Sequence, residues 1–188
     1  MIAHPLPPTL SVEEYLELEE NSTVKHEYLD GYVYAMAGGT LDHGLIAVNV
    51  LAILRPHLRG GPCRVYNSDV KVRIGHRRFV YPDVSVSCDS RARADGRAQS
   101  IAHPRLVVEV LSPKTAGYDQ GGKFEMYGAL ASLQTYVLLE AERVAIEVRT
   151  RLADGTWQAQ HFGARDLVAF PSIDFSGPAI DFYEDIDL

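Results

Sequence analysis

The stretch "LVVEVL", Leu106 to Leu111, is a six-residue apolar run with one carboxylate in its middle. Continuous apolar runs of this length, bounded by turn-forming residues, read as strands buried on both faces. An ionised acid there is costly unless it is paired or binds a cation. Glu109 is therefore the most informative residue of the chain. Taken alone it is read equally well as a functional acid or as a structural one, at the exposed strand end or paired with an arginine.

A second acid sits in "FVYPDVSVSC", residues 79–88. Val84, Val86 and Cys88 alternate with Asp83, Ser85 and Ser87, which is the strand period, and Pro82 stands at the entry where a missing N–H does least harm. Asp83 by itself is a turn residue. Together with Glu109 it makes a pair of acids near the ends of separate strands, able to converge on one hard cation such as Mg²⁺ (or Mn²⁺), which takes carboxylate, water and phosphate oxygens. Such an ion activates water and offsets charge in phosphoryl transfer.

After the Glu109 strand, "DQGGKFEMYGALA" has a helical pattern with Asp119 as its cap. Lys123 lies one turn in. It could orient an attacking water or stabilise developing charge, or simply pair with Asp119 at i,i+4. Gly121 and Gly122 are costly inside a helix, at roughly 1 kcal/mol each, so they mark either its start or a close approach.

The rest of the chain alternates. "SVEEYLELEEN" is a short helix capped by Ser11; "KHEYLDGYVYAM" is a hairpin turning at Asp30–Gly31. Glu27 precedes that turn and reads alone as a surface acid. A longer helix follows, with His43, Ala47, Val50, Leu54 and Leu58 on one face, Pro56 disturbing its last turn and Gly60–Gly61 ending it. On that face His43 reads as a core histidine. "RVYNSDVKVRI" is a strand next to "FVYPDVSVSC", and "LQTYVLLEA", "RVAIEVRT" and "TWQAQHF" are further strands. The tail "PSIDFSGPAIDFYEDIDL" reads as acidic and irregular. The order predicts a mixed α/β fold in one domain, residues 1–188.

Composition narrows the function. The chain has 188 residues, 46% of them hydrophobic and 23% charged, as in ordinary globular proteins. No apolar run approaches the ~20 residues of a membrane span, and the N-terminus has no secretory pattern, so a cytoplasmic location is expected. Cys63 and Cys88 are too few for a disulfide framework or a four-thiolate zinc site. Seven histidines show no zinc spacing, and neither nucleotide-binding glycine motif is present. Ser112 lacks the glycine elbow of a nucleophile. The net charge of −7 excludes nucleic-acid binding by bulk electrostatics. A nucleic-acid role would have to rest on a local basic patch, on metal ions that neutralise the acids, or on a transient encounter; Lys114 and the loop Arg91, Arg93 and Arg97 are candidate phosphate contacts that otherwise read as solvated.

The ordered set "HEYLDGYVYAMAG", "DHGLI", "SDVKV", "YPDVSVSC", "LVVEVLSPKTAGYDQGGKFEMY" and "LQTYVLLE" resembles the Uma2 family of restriction-endonuclease-like proteins, over about residues 8–160. The resemblance implies the PD-(D/E)XK nuclease fold, a mixed central β-sheet flanked by helices, here with an added N-terminal hairpin and C-terminal strands. It further implies Mg²⁺-dependent cleavage of DNA. Pro82–Asp83 then matches the "PD" and Glu109 the following acid. Leu111 stands where the motif has its lysine, and Lys123, on the next helix, matches the lysine of the family. Glu27 matches an acid of the family's hairpin and would be a third metal ligand, whereas Tyr32 stands where members commonly carry an acid. The resemblance also admits a homodimer, although no segment marks an interface. The same fold without catalysis, as a nucleic-acid-binding or assembly module, is the alternative.

Overall fold

The computed structural model describes residues 9–91, 98–113 and 115–188. It has a mixed α/β architecture with two main sheets. The six-stranded sheet runs β11 (Trp157–Gly163), β10 (Ala145–Arg151), β9 (Thr135–Glu140), β8 (Leu106–Leu111), β6 (Val84–Ser87), β3 (Arg64–Asn67), and the five-stranded sheet β2 (Tyr32–Ala35), β1 (His26–Leu29), β5 (Arg78–Val80), β4 (Lys71–Ile74), β7 (Ser100–Ile101).

Strand β8 (Leu106–Leu111) is the centre of the larger sheet. It pairs antiparallel with β6 (Val84–Ser87) and parallel with β9 (Thr135–Glu140). All six residues of β8 are buried because both faces are covered. Val108 and Val110 face a core shared with helix α2 (Leu41–His57) and the C-terminal segment; Val107 and Leu111 face a second core shared with the smaller sheet. Glu109 alternates with the valines and so points to the second side, between the two sheets.

The β3–β6 segment serves both sheets. Strand β3 (Arg64–Asn67) pairs with β6 in the larger sheet, whereas β4 (Lys71–Ile74) and β5 (Arg78–Val80) pair with each other in the smaller one. "RVYNSDVKVRI" is thus two strands broken at Ser68–Val70, not the single strand its pattern suggests. Pro82–Asp83 is the corresponding break on the way back, where the missing proline N–H interrupts no ladder.

The smaller sheet is completed by β7 (Ser100–Ile101) and by the predicted hairpin, β1 (His26–Leu29) and β2 (Tyr32–Ala35). Asp30 and Gly31 both have positive φ, 52° and 109°, as a type I′ turn requires. Helix α1 (Val12–Asn21) carries a complete Ser11–Glu14 capping box and packs Tyr15 on Tyr28 and Phe79.

Helix α3 is continuous but irregular: a turn at Ala116–Tyr118, a π turn over Asp119–Lys123, and a last turn at Phe124–Gly128. Asp119 is therefore not its cap. It lies inside the helix and is buried, because the chain turns helical at Thr115, ahead of the acid.

Beyond β10 (Ala145–Arg151) and β11 (Trp157–Gly163), the tail is ordered, contrary to its irregular pattern. Strands β12 (Leu167–Phe170) and β13 (Phe175–Pro178) form a hairpin around a 3-10 turn, and a second 3-10 turn follows at Ala179–Tyr183. Ile173, Ala179, Phe182 and Tyr183 are buried in the core under α2, so scattered apolar residues hold the segment down despite its acids. Cys63, directly before β3, and Cys88, directly after β6, are joined in one disulfide across the end of the β3–β6 ladder, a pairing that two cysteines in sequence did not announce. No helix among the described residues is long and apolar enough to cross a membrane.

Candidate active site

Four carboxylates from four separate elements meet between the sheets. Glu27 comes from β1, Asp83 from the β5–β6 break, Glu109 from β8 and Asp119 from the π turn of α3. Lys123 reaches three of them: its Nζ lies 3.2 Å from Glu109 Oε1, 3.3 Å from Asp119 Oδ1 and 3.5 Å from Glu27 Oε1. The i,i+4 contact with Asp119 is thus real, but it is one of three. Glu27 is buried, not a surface acid, and its Oε1 also accepts the Tyr81 N–H. Tyr127 Oη donates to Glu109 Oε1 at 3.2 Å.

Asp83 stands one residue beyond the Val84–Val108 pair, level with Glu109 on the neighbouring strand. Its Oδ2 accepts the Val110 N–H at 2.7 Å, which fixes it to the Glu109 strand. Its Oδ1 lies 3.0 Å from His43 Nε2. The helical spacing that placed His43 on an apolar face was right about direction and wrong about role: at the first turn of α2 that face has passed the end of the core and meets Asp83. His43 Nδ1 is buried without a partner. The glycine before the helix has a steric reason, since a Cβ on Gly39 would come within 2.8 Å of the His43 ring.

The electrostatics follow from an excess of acids in a dry place. Burial raises Glu109 well above the usual carboxylate range, and the neighbouring Asp83, Asp119 and Glu27 add to this against Lys123. Burial alone would lower the Lys123 ammonium; Glu109, Glu27 and Asp119 outweigh it and hold the group above its ordinary value. His43 is raised chiefly by its hydrogen bond to Asp83. Burial and the nearby Glu27 push Tyr118, beside Lys123, up to about 12.

Beside His43 and Asp83 a cleft of about 590 Å³ opens, walled by Val24, Met36, Gly38, Gly44 and Val48. Asp83, Glu109, Lys123 and Glu27 are thus all brought to one place, with Asp119 and His43 added. Among the described residues no group of three or more His, Cys, Asp or Glu side chains is arranged to hold a metal ion; the lysine is drawn in among the carboxylates. Of the proposed phosphate contacts, Arg91 pairs with Asp89 at 2.8 Å, away from this site, and Arg93, Arg97 and Lys114 lie outside the described residues. The Ser112 hydroxyl pairs with Thr115, which gives it no base.

Residues 12–177 match the family model Uma2, described as "Putative restriction endonuclease". The chain belongs to the Uma2 family. A relative from Synechocystis sp., "Uncharacterized protein slr1290", is 44% identical over 170 residues, covering 90% of this chain and 88% of its own. A second from the same organism, "Uncharacterized protein sll1609", is 29% identical over 149 residues, covering 79% and 84%. A crystal structure from Anabaena variabilis, described as "a putative nuclease belonging to DUF820", superposes with a TM-score of 0.76 at 17% identity, covering 94% of this chain and 98% of that one. This Uma2 chain therefore has the nuclease fold of that structure, as its motifs implied.

Proposed function

We propose that this Uma2 protein is a metal-dependent endonuclease that hydrolyses phosphodiester bonds of DNA. The observation that carries the reading is the meeting of Glu27, Asp83 and Glu109 from three separate elements, Glu27 and Glu109 both in contact with Lys123 and Asp83 bound to the strand that carries Glu109. The donor chemistry suits a divalent cation. Every candidate ligand is a hard carboxylate oxygen, and carboxylates outnumber the cationic side chains beside them, an excess that a cation would offset. Asp83, Glu109 and Glu27 would hold the ion, which when bound supplies an activated water and charge neutralisation. Asp83 is fixed by the Val110 N–H, so one ligand keeps its place. Lys123, with its proton held firmly, would place positive charge where the phosphorane develops its negative charge.

A second reading rests on one specific observation. Lys123 already pairs with Glu27, Glu109 and Asp119, which is the arrangement expected of a non-catalytic nucleic-acid-binding or assembly module that keeps its acids as structural pairs.

The test is nicking of supercoiled plasmid with Mg²⁺, Mn²⁺ or EDTA, wild type beside Asp83→Asn and Glu109→Gln, with circular dichroism to confirm folding. Metal-dependent nicking that both variants lose supports the nuclease. No nicking, with no shift of Tm on adding metal, favours the binding module.

A further inference from the structure

We infer that the strand addressed by this site is single-stranded DNA, whose bases stack on Tyr34 and Tyr118; the inference rests on the nuclease reading for its choice of ligand. Tyr34 on β2 is paired directly with Glu27 on β1, and directly opposed residues of an antiparallel pair share a face. Its ring therefore stands on the side from which Glu27 reaches Lys123, and it is 52% exposed. Tyr118, 40% exposed, holds its ring centroid 6.0 Å from Lys123 Nζ, beside the same carboxylates. Single exposed apolar residues are ordinary. Two tyrosines beside one cluster of acids are not scattered.

Gly122 is an independent sign that the ring of Tyr118 has an assigned place. A Cβ at this position would come within 3.0 Å of two ring carbons of Tyr118, whereas one at Gly121 would meet nothing. The glycine accepts the cost of an interior helix position, and what it makes room for is a half-exposed aromatic ring. The π turn that carries it is of a kind frequent at functional sites.

Charge argues more strongly against a duplex than against a single strand, whose lower charge density demands less neutralisation. Duplex binding depends on neutralising phosphates with Lys and Arg, but the protein carries −7. At the cleft, Lys25 is paired with Asp69 at 2.5 Å, and Lys123 is engaged by carboxylates. What the surroundings offer besides polar Asn67 and Ser68 is apolar wall: Val24, Met36 and Val48 along the cleft, with open space over Gly38 and Gly44. Ring faces and apolar walls gain nothing from a duplex whose bases are stacked inside, and they suit an unpaired strand. Stacking on aromatic side chains is tolerant of sequence and is worth about 5- to 150-fold in affinity per base.

The test is fluorescence anisotropy of a labelled oligothymidylate, of its duplex, and of an abasic oligomer of the same length. It is run in EDTA, where binding is read without metal-dependent cleavage, and again with Ca²⁺. Expected is tighter binding of the single strand than of the other two. Tyr34→Ala and Tyr118→Ala should each weaken it about 5- to 150-fold, while Tyr34→Phe and Tyr118→Phe bind as wild type. Equal or tighter duplex binding, unchanged binding of the abasic strand, alanine variants that bind like wild type, or no binding under either condition would overturn it. Stacking-dependent binding in a protein that cuts nothing would leave this site standing and remove the nuclease reading. Metal-dependent nicking with indifferent tyrosine variants would do the reverse.

Discussion

Asp83 accepts the backbone N–H of Val110, the residue next to Glu109, in a hydrogen bond of 2.7 Å. Through it the turn that leaves one sheet is anchored to the central strand of the other. The acid at the entry of "PDVSVS" is thus neither a turn ornament nor a solvated charge, and its second oxygen is left to face His43.

Lys123 is the keystone of the carboxylate cluster. Lys123→Met leaves Glu27, Glu109 and Asp119 facing one another in a buried space, and removing one member of a buried pair typically costs about 3–5 kcal/mol. Urea unfolding should show a loss of that size. Adding Glu109→Leu should recover part of it, since the costliest uncompensated charge is then gone.

The pH dependence has a definite sign. His43 is raised in the folded state by Asp83, so its contribution is fully present below its unfolded value, near 6.5, and is lost as pH climbs through the higher folded value. Glu109, raised likewise, acts in the same direction, whereas Lys123, also raised, loses its contribution only in the alkaline range above its ordinary 10.5. Metal-free protein should therefore be more stable to urea at pH 6 than at pH 9, and His43→Gln should narrow that difference. A wider difference in the variant would contradict the His43–Asp83 pairing.

Adjacent glycines should respond differently. Gly121→Ala places a methyl in open space and recovers helix propensity, for a gain of up to about 1 kcal/mol. Gly122→Ala meets the Tyr118 ring and should gain less, or lose. Thermal unfolding of the two variants side by side decides it.

The Cys63–Cys88 bridge spans 25 positions and encloses the whole β3–β6 segment, Asp83 included. On the chain-entropy account such a loop contributes about 3.5 kcal/mol. Reductant, or the double substitution to serine, should lower the urea midpoint accordingly. A compartment that keeps thiols reduced would hold the protein in that less stable form.

The fold was legible where local chemistry and tertiary role agree. An apolar run of six with flanking turn residues reads as a buried strand, and Asp30–Gly31 can hardly be anything but a tight turn. Glu27, Asp83, Glu109 and Lys123 were found by motif, and the structure brings them together. Asp119 misled because an acid ahead of two glycines looks like a helix start, whereas its burial depends on α3 packing over β8 and β9. His43 was hidden by periodicity: nothing local tells that the apolar face of α2 ends one turn short of its histidine. The tail and the disulfide depend on register between distant segments, which one sequence does not encode in any single window.

Glu27 and Glu109 belong to different sheets, and the filling between those sheets is Val72, Val80, Val107, Leu138 and Tyr136. The carboxylate spacing is therefore a packing thickness. A methyl group removed from Val72 or Val80, which carry no charge themselves, would let the sheets settle and draw the acids together, so this core is the gauge block of the site.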